Sequence, residues 1–230
     1  MQAGFPILID SQALSAILAV WRPGGLVQID GNVFGKRKRR RFVSRNIFNV
    51  VVKNRGYVIT GAFGSGKSTL LECLRLRGLQ VIGEPARPIL AEQRSIEGNG
   101  VPERDPRLFV ELMLSRMLSA YAQCDTTTGP LLFDRGIPDL LAYAKLFGFE
   151  FPAAENAAIL YRYNPHVFVA PPWEQIYRTD EERTVPFSVA REFGDSVRAI
   201  YERLGYTVID LPRFSAQERA DFVFHRVRVP

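Results

Sequence analysis

Tyr57-Val58-Ile59-Thr60-Gly61-Ala62-Phe63-Gly64-Ser65-Gly66-Lys67-Ser68 is a short apolar run that breaks into glycines and ends in Gly-Lys-Ser. Gly61, Gly66, Lys67 and Ser68 occupy every fixed position of the phosphate-binding pattern G-x-x-x-x-G-K-[ST]. The spacing has a physical reason. The chain must leave a buried strand, wrap its backbone N–H groups around a polyphosphate, and start a helix whose positive end faces that charge. Glycines permit the wrap, and Gly64 relieves side-chain crowding inside the loop. Lys67 would reach the outer phosphates and Ser68 would place its hydroxyl on Mg²⁺.

The flanks supply the context that the pattern needs. Leu70, Leu71 and Leu74 recur at helical spacing and Gly78 is a stop signal, so strand, loop and helix are predicted in succession. A glycine-rich turn arising by chance would lack that frame. Gly61, Ala62, Phe63, Gly64, Ser65, Gly66, Lys67, Ser68 and Thr69 are the candidate cofactor-binding set, for ATP or alternatively GTP with Mg²⁺.

At 230 residues, 47% hydrophobic and 23% charged, the chain has the composition of an ordinary globular protein, with one α/β domain as the default. Cys73 and Cys124 have no paired spacing and no histidine neighbours. They predict buried thiols in a reducing, cytoplasmic setting and exclude a disulfide framework or a zinc site. The net charge of +6 is unevenly placed. Residues 1–55 hold ten Lys/Arg against Asp10 and Asp30, whereas the remainder holds twenty Lys/Arg against twenty-two Asp/Glu. The excess positive charge therefore lies ahead of the phosphate loop.

Within residues 1–55 the apolar stretch 13–21 is too short to span a bilayer, and it lacks the basic start of a secretory signal. The basic run 36–41 reads as a solvated, poorly ordered extension, because blocks of like charge repel. Contact with RNA or an anionic membrane, an address tag, or an over-extended reading frame are the alternatives. The predicted division is a basic extension over 1–55 and a P-loop NTPase domain over 56–230.

From Gly56 onward strands are predicted at 57–60, 80–83, 131–134, 167–170 and 206–210. Helices are predicted at 68–77, 106–123, 138–147, 153–163, 187–204 and 215–227, with Leu108, Leu112, Met113 and Met117 on the inward face of the second. Strand and helix alternate five times, which predicts a doubly wound parallel sheet. Its ligands bind at the carboxyl edge.

Two strand ends bring acids to that edge. Glu84 follows the second strand, where a carboxylate can face the γ-phosphate and accept a proton from an attacking hydroxyl; a surface acid at a helix start would look the same. Asp134 ends the third strand and is the candidate metal-side partner of Ser68. Arg87 and Arg135 are cations near the expected phosphates. Arg178 and Arg183, in a charged stretch of lid character, either close over the nucleotide or form a solvated face.

These residues give the chain a resemblance to the NadR-like P-loop ATPase domains, classed beside AAA-type predicted ATPases and related to ribosylnicotinamide kinase. It rests on 61–68, on Glu84-Pro85-Ala86-Arg87, on Phe133-Asp134-Arg135-Gly136-Ile137-Pro138-Asp139, and on Ala170-Pro171-Pro172-Trp173 with Ile176-Tyr177-Arg178-Thr179-Asp180-Glu181-Glu182-Arg183. The resemblance implies a kinase-like P-loop sheet of order 2-3-1-4-5, with ATP or GTP and Mg²⁺ as ligands. Glu84-Pro85 and Asp134-Arg135 also look like the strand-end motifs of deoxynucleoside kinases, where the acid is the base and the arginine a phosphate contact.

The leading expectation is a small-molecule, nucleoside-like kinase or an ATPase. Lys67, Glu84, Asp134, Arg135, Arg178 and Arg183 are its catalytic candidates, with Ser68 and Asp134 on the metal. A nucleotide-dependent switch acting on a protein or RNA partner is the alternative. The chain contains no Asn-Lys-x-Asp guanine-reading motif, which favours ATP. An RNA-directed enzyme would depend on the basic run. A ring-forming AAA machine fits less well, since only about one helix follows the fifth strand. Neither the acceptor nor the oligomeric state is legible.

Overall fold

The computed structural model describes residues 50–126, 128–178 and 185–228, all within the unit formed by residues 47–230. Its first half contains β1 (Val51–Val52), β2 (Gly56–Gly61), α1 (Lys67–Leu76), β3 (Gln80–Ile82), α2 (Ala86–Ser95), α3 (Pro106–Gln123) and β4 (Leu131–Asp134). Its second half contains α4 (Asp139–Leu146), α5 (Pro152–Leu160), β5 (Tyr161–Arg162), β6 (His166–Ala170), α6 (Phe187–Arg203), β7 (Thr207–Asp210) and α7 (Ala216–Arg228).

Five strands form one parallel sheet in the order β3-β4-β2-β6-β7. Counted by themselves these strands run 2-3-1-4-5, the order that the resemblance implies. The strand leading into the phosphate loop is central: Val58 lies opposite Phe133 on one side and Val167 on the other. Alternation along the strands then builds two cores. Val58, Phe133, Val167 and Val169 face residues of α2 to α6, while Ile59, Leu132 and Phe168 face α1 and α7. A sheet covered on both faces explains why its strands read as continuous apolar runs.

Helix boundaries follow local chemistry. Asp105 caps α3 by accepting from the Leu108 N–H at 2.9 Å, with Pro106 at the first helical position. Ser215 and Glu218 form a reciprocal capping box that opens α7. The inward face of α3 is the expected one at Met113 and Met117 but not at Leu108 and Leu112. Phe109, Val110, Met113, Leu114, Met117 and Tyr121 are buried, and Leu108 and Leu112 are half-buried at its margin. The stripe is set by 109, 113, 117 and 121, so a reading begun at Leu108 is one position out of phase.

Two short strands were not foreseen. The helix predicted at 153–163 ends at Leu160 because Tyr161 and Arg162 pair with Val51 and Val52. The Tyr121 hydroxyl donates to Arg162 O at 2.6 Å and Val51 O at 3.0 Å, fastening this pair to α3. Lys53 Nζ donates to Cys124 O at 2.6 Å. Residues 51–55 are thus joined to the sheet domain, ahead of the boundary drawn at Gly56. The extension over 1–49, with its basic run, lies outside the described residues. Among the described residues no helix is long and apolar enough to cross a membrane.

Candidate active site

Close approach of β2 and β6 fixes the root of the phosphate loop. Gly61 has φ +123°, and a Cβ there would sit 2.1 Å from Ala170 O. Only glycine fits that position. Gly66 at φ +78° caps α1, so the first backbone N–H groups of the helix open towards the loop. Lys67 is buried and donates to Ala62 O at 2.7 Å, the same carbonyl that accepts from Ser65 Oγ. Burial and the nearby Arg135 charge lower the Lys67 pKa to about 7, outweighing the pull of Asp134, Glu84 and Asp139.

Behind the loop lies a cluster that ties three strand ends together. Arg135 has φ +65°, an uncommon conformation for a residue with a side chain, and this turns its side chain back beneath β2. Its Nη1 donates to Gly61 O and Asp139 Oδ1, both at 3.0 Å, and its Nε lies 2.8 Å from Glu84 Oε1. That last contact is an ion pair whose N–H is not aligned for a hydrogen bond. The guanidinium sits among the rings of Phe63, Tyr143 and Phe193, with centroids 5.2, 5.8 and 5.1 Å away.

Asp139 is fully buried and satisfied. It accepts from Thr60 Oγ1, from Arg135, from Gly136 N at 3.0 Å and from the Tyr201 hydroxyl at 2.7 Å. Glu84 accepts from the Tyr143 hydroxyl at 2.7 Å. Burial raises the Glu84 pKa, but Arg135, Tyr143 and Lys67 outweigh it and hold the carboxyl below its ordinary value. Asp134 behaves oppositely. Burial and the neighbouring Glu84 push its pKa up to about 6, against Lys67 and Arg135. Its buried Oδ1 has no hydrogen-bond partner among the described residues. Two neighbouring carboxylates are thereby driven apart in acidity, as in sites where they take different tasks.

A cavity of about 600 Å³ covers the loop. Gly64 to Thr69 form its floor, Glu84, Arg87 and Asp134 one end, and Trp173, Ile176, Arg178 and Phe214 another part of its wall. A second cavity of about 270 Å³ adjoins it, lined mainly by apolar residues including Ile82, Ile89, Met117 and Phe133. Glu84, Asp134 and Arg135 line both.

Gly64 to Thr69, Glu84, Asp134, Arg135 and Arg178 line one cavity at the sheet edge, and two side chains are placed otherwise than expected. Arg135, read as a cation on the transferring phosphate, has a side chain only 2% exposed and directs its charge at Glu84 and Asp139. Phe63, read within the nucleotide loop, stacks its ring on Phe193 at 4.1 Å. Arg178 lines the large cavity and donates to Gln175 O and Tyr177 O, while Arg183 lies outside the described residues. Sequence reading missed Asp139, Tyr143 and Tyr201 as members of the cluster. Asp139 stands four residues after Arg135, a spacing that pairs charges on one helical turn and could have revealed it.

Asp134, whose buried Oδ1 is orphaned, and Ser68 both line the cavity over the loop, and their oxygens suit a hard divalent cation. Among the described residues no three His, Cys, Asp or Glu side chains gather as a metal site by themselves.

The fold recurs in solved structures. Deoxyadenosine kinase from M. mycoides, with dCMP and dCDP bound, matches at TM-score 0.55 and 12% identity over 75% of this chain and 97% of that one. The NadR protein in complex with NR matches at TM-score 0.58 and 18% identity over 80% of this chain and 53% of that chain, so this chain spans about half of it. Thymidylate kinase from Ehrlichia chaffeensis matches at TM-score 0.50 and 14% identity over 75% of this chain and 98% of that one. At these identities the likeness is one of fold, a kinase-like P-loop sheet. No curated protein sequence matches the chain. A family profile described as AAA domain matches residues 56–219, from the first residue of β2 into the first turn of α7. With that match covering well over half of its length, and with the phosphate loop built as described, the chain belongs to this AAA domain family of P-loop proteins.

Proposed function

We propose that the protein binds ATP and transfers its γ-phosphoryl group to the hydroxyl of a small-molecule acceptor. The observation that carries this reading is the shared wall: Glu84 and Asp134 line both the cavity over the phosphate loop and the smaller apolar cavity beside it. A polyphosphate lying along Gly64 to Ser68 would end at that wall. An acceptor with an apolar body seated near Ile82, Ile89, Met117 and Phe133 would present its hydroxyl to the same point.

The chain's own groups divide the work. Lys67 and the backbone N–H groups at the start of α1 bind the phosphates, and their positive charge meets the charge that spreads over the transferring group. Ser68 and Asp134 are the residues that would hold Mg²⁺, which when bound neutralises phosphate charge. Glu84, kept ionised by Arg135 and Tyr143, accepts a hydrogen bond from the acceptor hydroxyl and orients it. A carboxylate of lowered pKa is a weak base, which suits a loose transfer in which the proton leaves late. Arg135 is a positioning residue, because its contacts run to Glu84, Asp139 and Gly61.

The test is ADP release from ATP·Mg²⁺ with and without a panel of nucleosides, nucleotides, ribosylnicotinamide and short RNAs, with Lys67→Ala as control. Strong stimulation by one hydroxyl acceptor, lost in the control, is the expected result. Slow release that no acceptor changes would instead point to a nucleotide switch.

A further inference from the structure

Arg219 stands in the first turn of α7, where among the described residues no acidic side chain pairs with it. The residue is 2% exposed. Its Nη1 donates to the backbone carbonyl of Ser65 at 2.9 Å, and its Nε is buried without a hydrogen-bond partner. Among the described residues no carboxylate lies within ion-pair distance of it, in contrast to Arg135, which has two. A cation in the first turn of a helix also opposes the positive end of the helix dipole. Three unfavourable features thus coincide on one side chain: burial of a charge, an unmet donor and the wrong end of a helix.

What Arg219 does face is the cavity over the phosphate loop, which it lines together with Gly66, Lys67 and Ser215. The loop is so near that a Cβ on Gly66 would lie 3.0 Å from Arg219 Nη1. Its support is firm. Ala220 and Val223 are buried against α1, and Arg77, the residue that follows α1, pairs with Asp221 at 2.6 Å. The guanidinium is therefore held beside the loop without a counter-charge among the described residues.

We infer that Arg219 is a polyphosphate-binding residue, supplied by the last helix, whose missing counter-ion is the phosphate chain of the nucleotide. The inference rests on the nucleotide-binding reading above and extends it to α7. The desolvated guanidinium gains its anion when nucleotide enters, so binding relieves a charge that destabilises the empty protein.

Stability and affinity should respond in opposite directions. Arg219→Met removes the charge while keeping apolar bulk, and is expected to melt at or above the wild-type temperature without nucleotide. Its ATP affinity by calorimetry should fall about tenfold or more, with adenosine affinity unchanged. A fall in melting temperature with ATP affinity unchanged would assign Arg219 to structure and overturn the inference. An equal loss for ATP and adenosine would overturn it as well. If the methionine variant does not fold, Arg219→Gln decides, since it keeps a donor for Ser65 without the charge. ATP affinity within twofold of wild type would then refute the inference, and a tenfold loss would support it. A folded wild type that binds no ATP would refute both this inference and the nucleotide-binding reading, whereas unaltered binding in the variants refutes only the role of Arg219.

Discussion

Arg135 holds Glu84 in place: its Nε lies 2.8 Å from Glu84 Oε1, so the side chain that follows β4 sets the position of the acid that follows β3. The same guanidinium donates to Asp139 and to Gly61 O, at the root of the phosphate loop. One buried cation thereby couples the geometry of three strand ends. A candidate catalytic acid and the loop that would hold its substrate cannot shift independently.

Removal of that cation leaves Glu84 and the fully buried Asp139 without their charge partner. Arg135→Met is expected to cost about 3–5 kcal/mol of stability, the range for breaking a buried ion pair from one side. Arg135→Lys should rescue little, because one ammonium cannot reach Gly61 O, Asp139 and Glu84 together. Urea unfolding of the two variants measures this. A methionine variant as stable as wild type would show that the cluster is not held by its charge.

Glu84 should leave a signature on the acid side. Burial raises its pKa, but Arg135, Tyr143 and Lys67 bring it below the ordinary value. A carboxyl with a lowered folded pKa adds stability above its unfolded value, about 4.3, and loses it as pH falls through the folded value. Glu84→Gln should therefore unfold with a flatter pH dependence than wild type below about pH 4.5. Its kcat with the identified acceptor should fall about hundredfold, within the span of acid–base contributions. Superimposable stability curves down to pH 3 would contradict the coupling of Glu84 to Arg135.

The phosphate loop, the strand order and the acids at the sheet edge were legible because each follows from a local rule. Gly61 and Gly66 mark backbone that no other residue can follow, and alternating strands and helices admit few sheet orders. Arg135 was misread for a physical reason. A strand-end arginine beside a phosphate loop suggests an outward cation, and only its positive φ and the buried Asp139 turn it inward. Arg219 was invisible for another. It lies 154 residues from Ser65 in sequence, and nothing in an amphipathic terminal helix announces which polar residue is pulled inside. The pairing of Val51–Val52 with Tyr161–Arg162 was equally hidden, since two-residue strands carry no periodicity.

Asp134 offers a prediction of opposite sign to Glu84. Burial and Glu84 raise its pKa to about 6, and its Oδ1 has no hydrogen-bond partner among the described residues. An acid with a raised folded pKa stabilises the fold below its unfolded value, about 3.9, and that contribution is lost as pH rises through about 6. Above that pH the empty protein carries an ionised, under-satisfied carboxylate. Asp134→Asn should then match or exceed wild-type stability at pH 8 in metal-free, nucleotide-free buffer, with the difference shrinking as pH falls from about 6 towards 4. The same substitution should raise the Mg²⁺ concentration needed for half-maximal ADP release, because the amide offers no charge to the cation. Urea unfolding at several pH values, paired with an Mg²⁺ titration, tests both halves. If the asparagine variant proves less stable than wild type at pH 8, Asp134 is a structural acceptor and its assignment to the metal side fails.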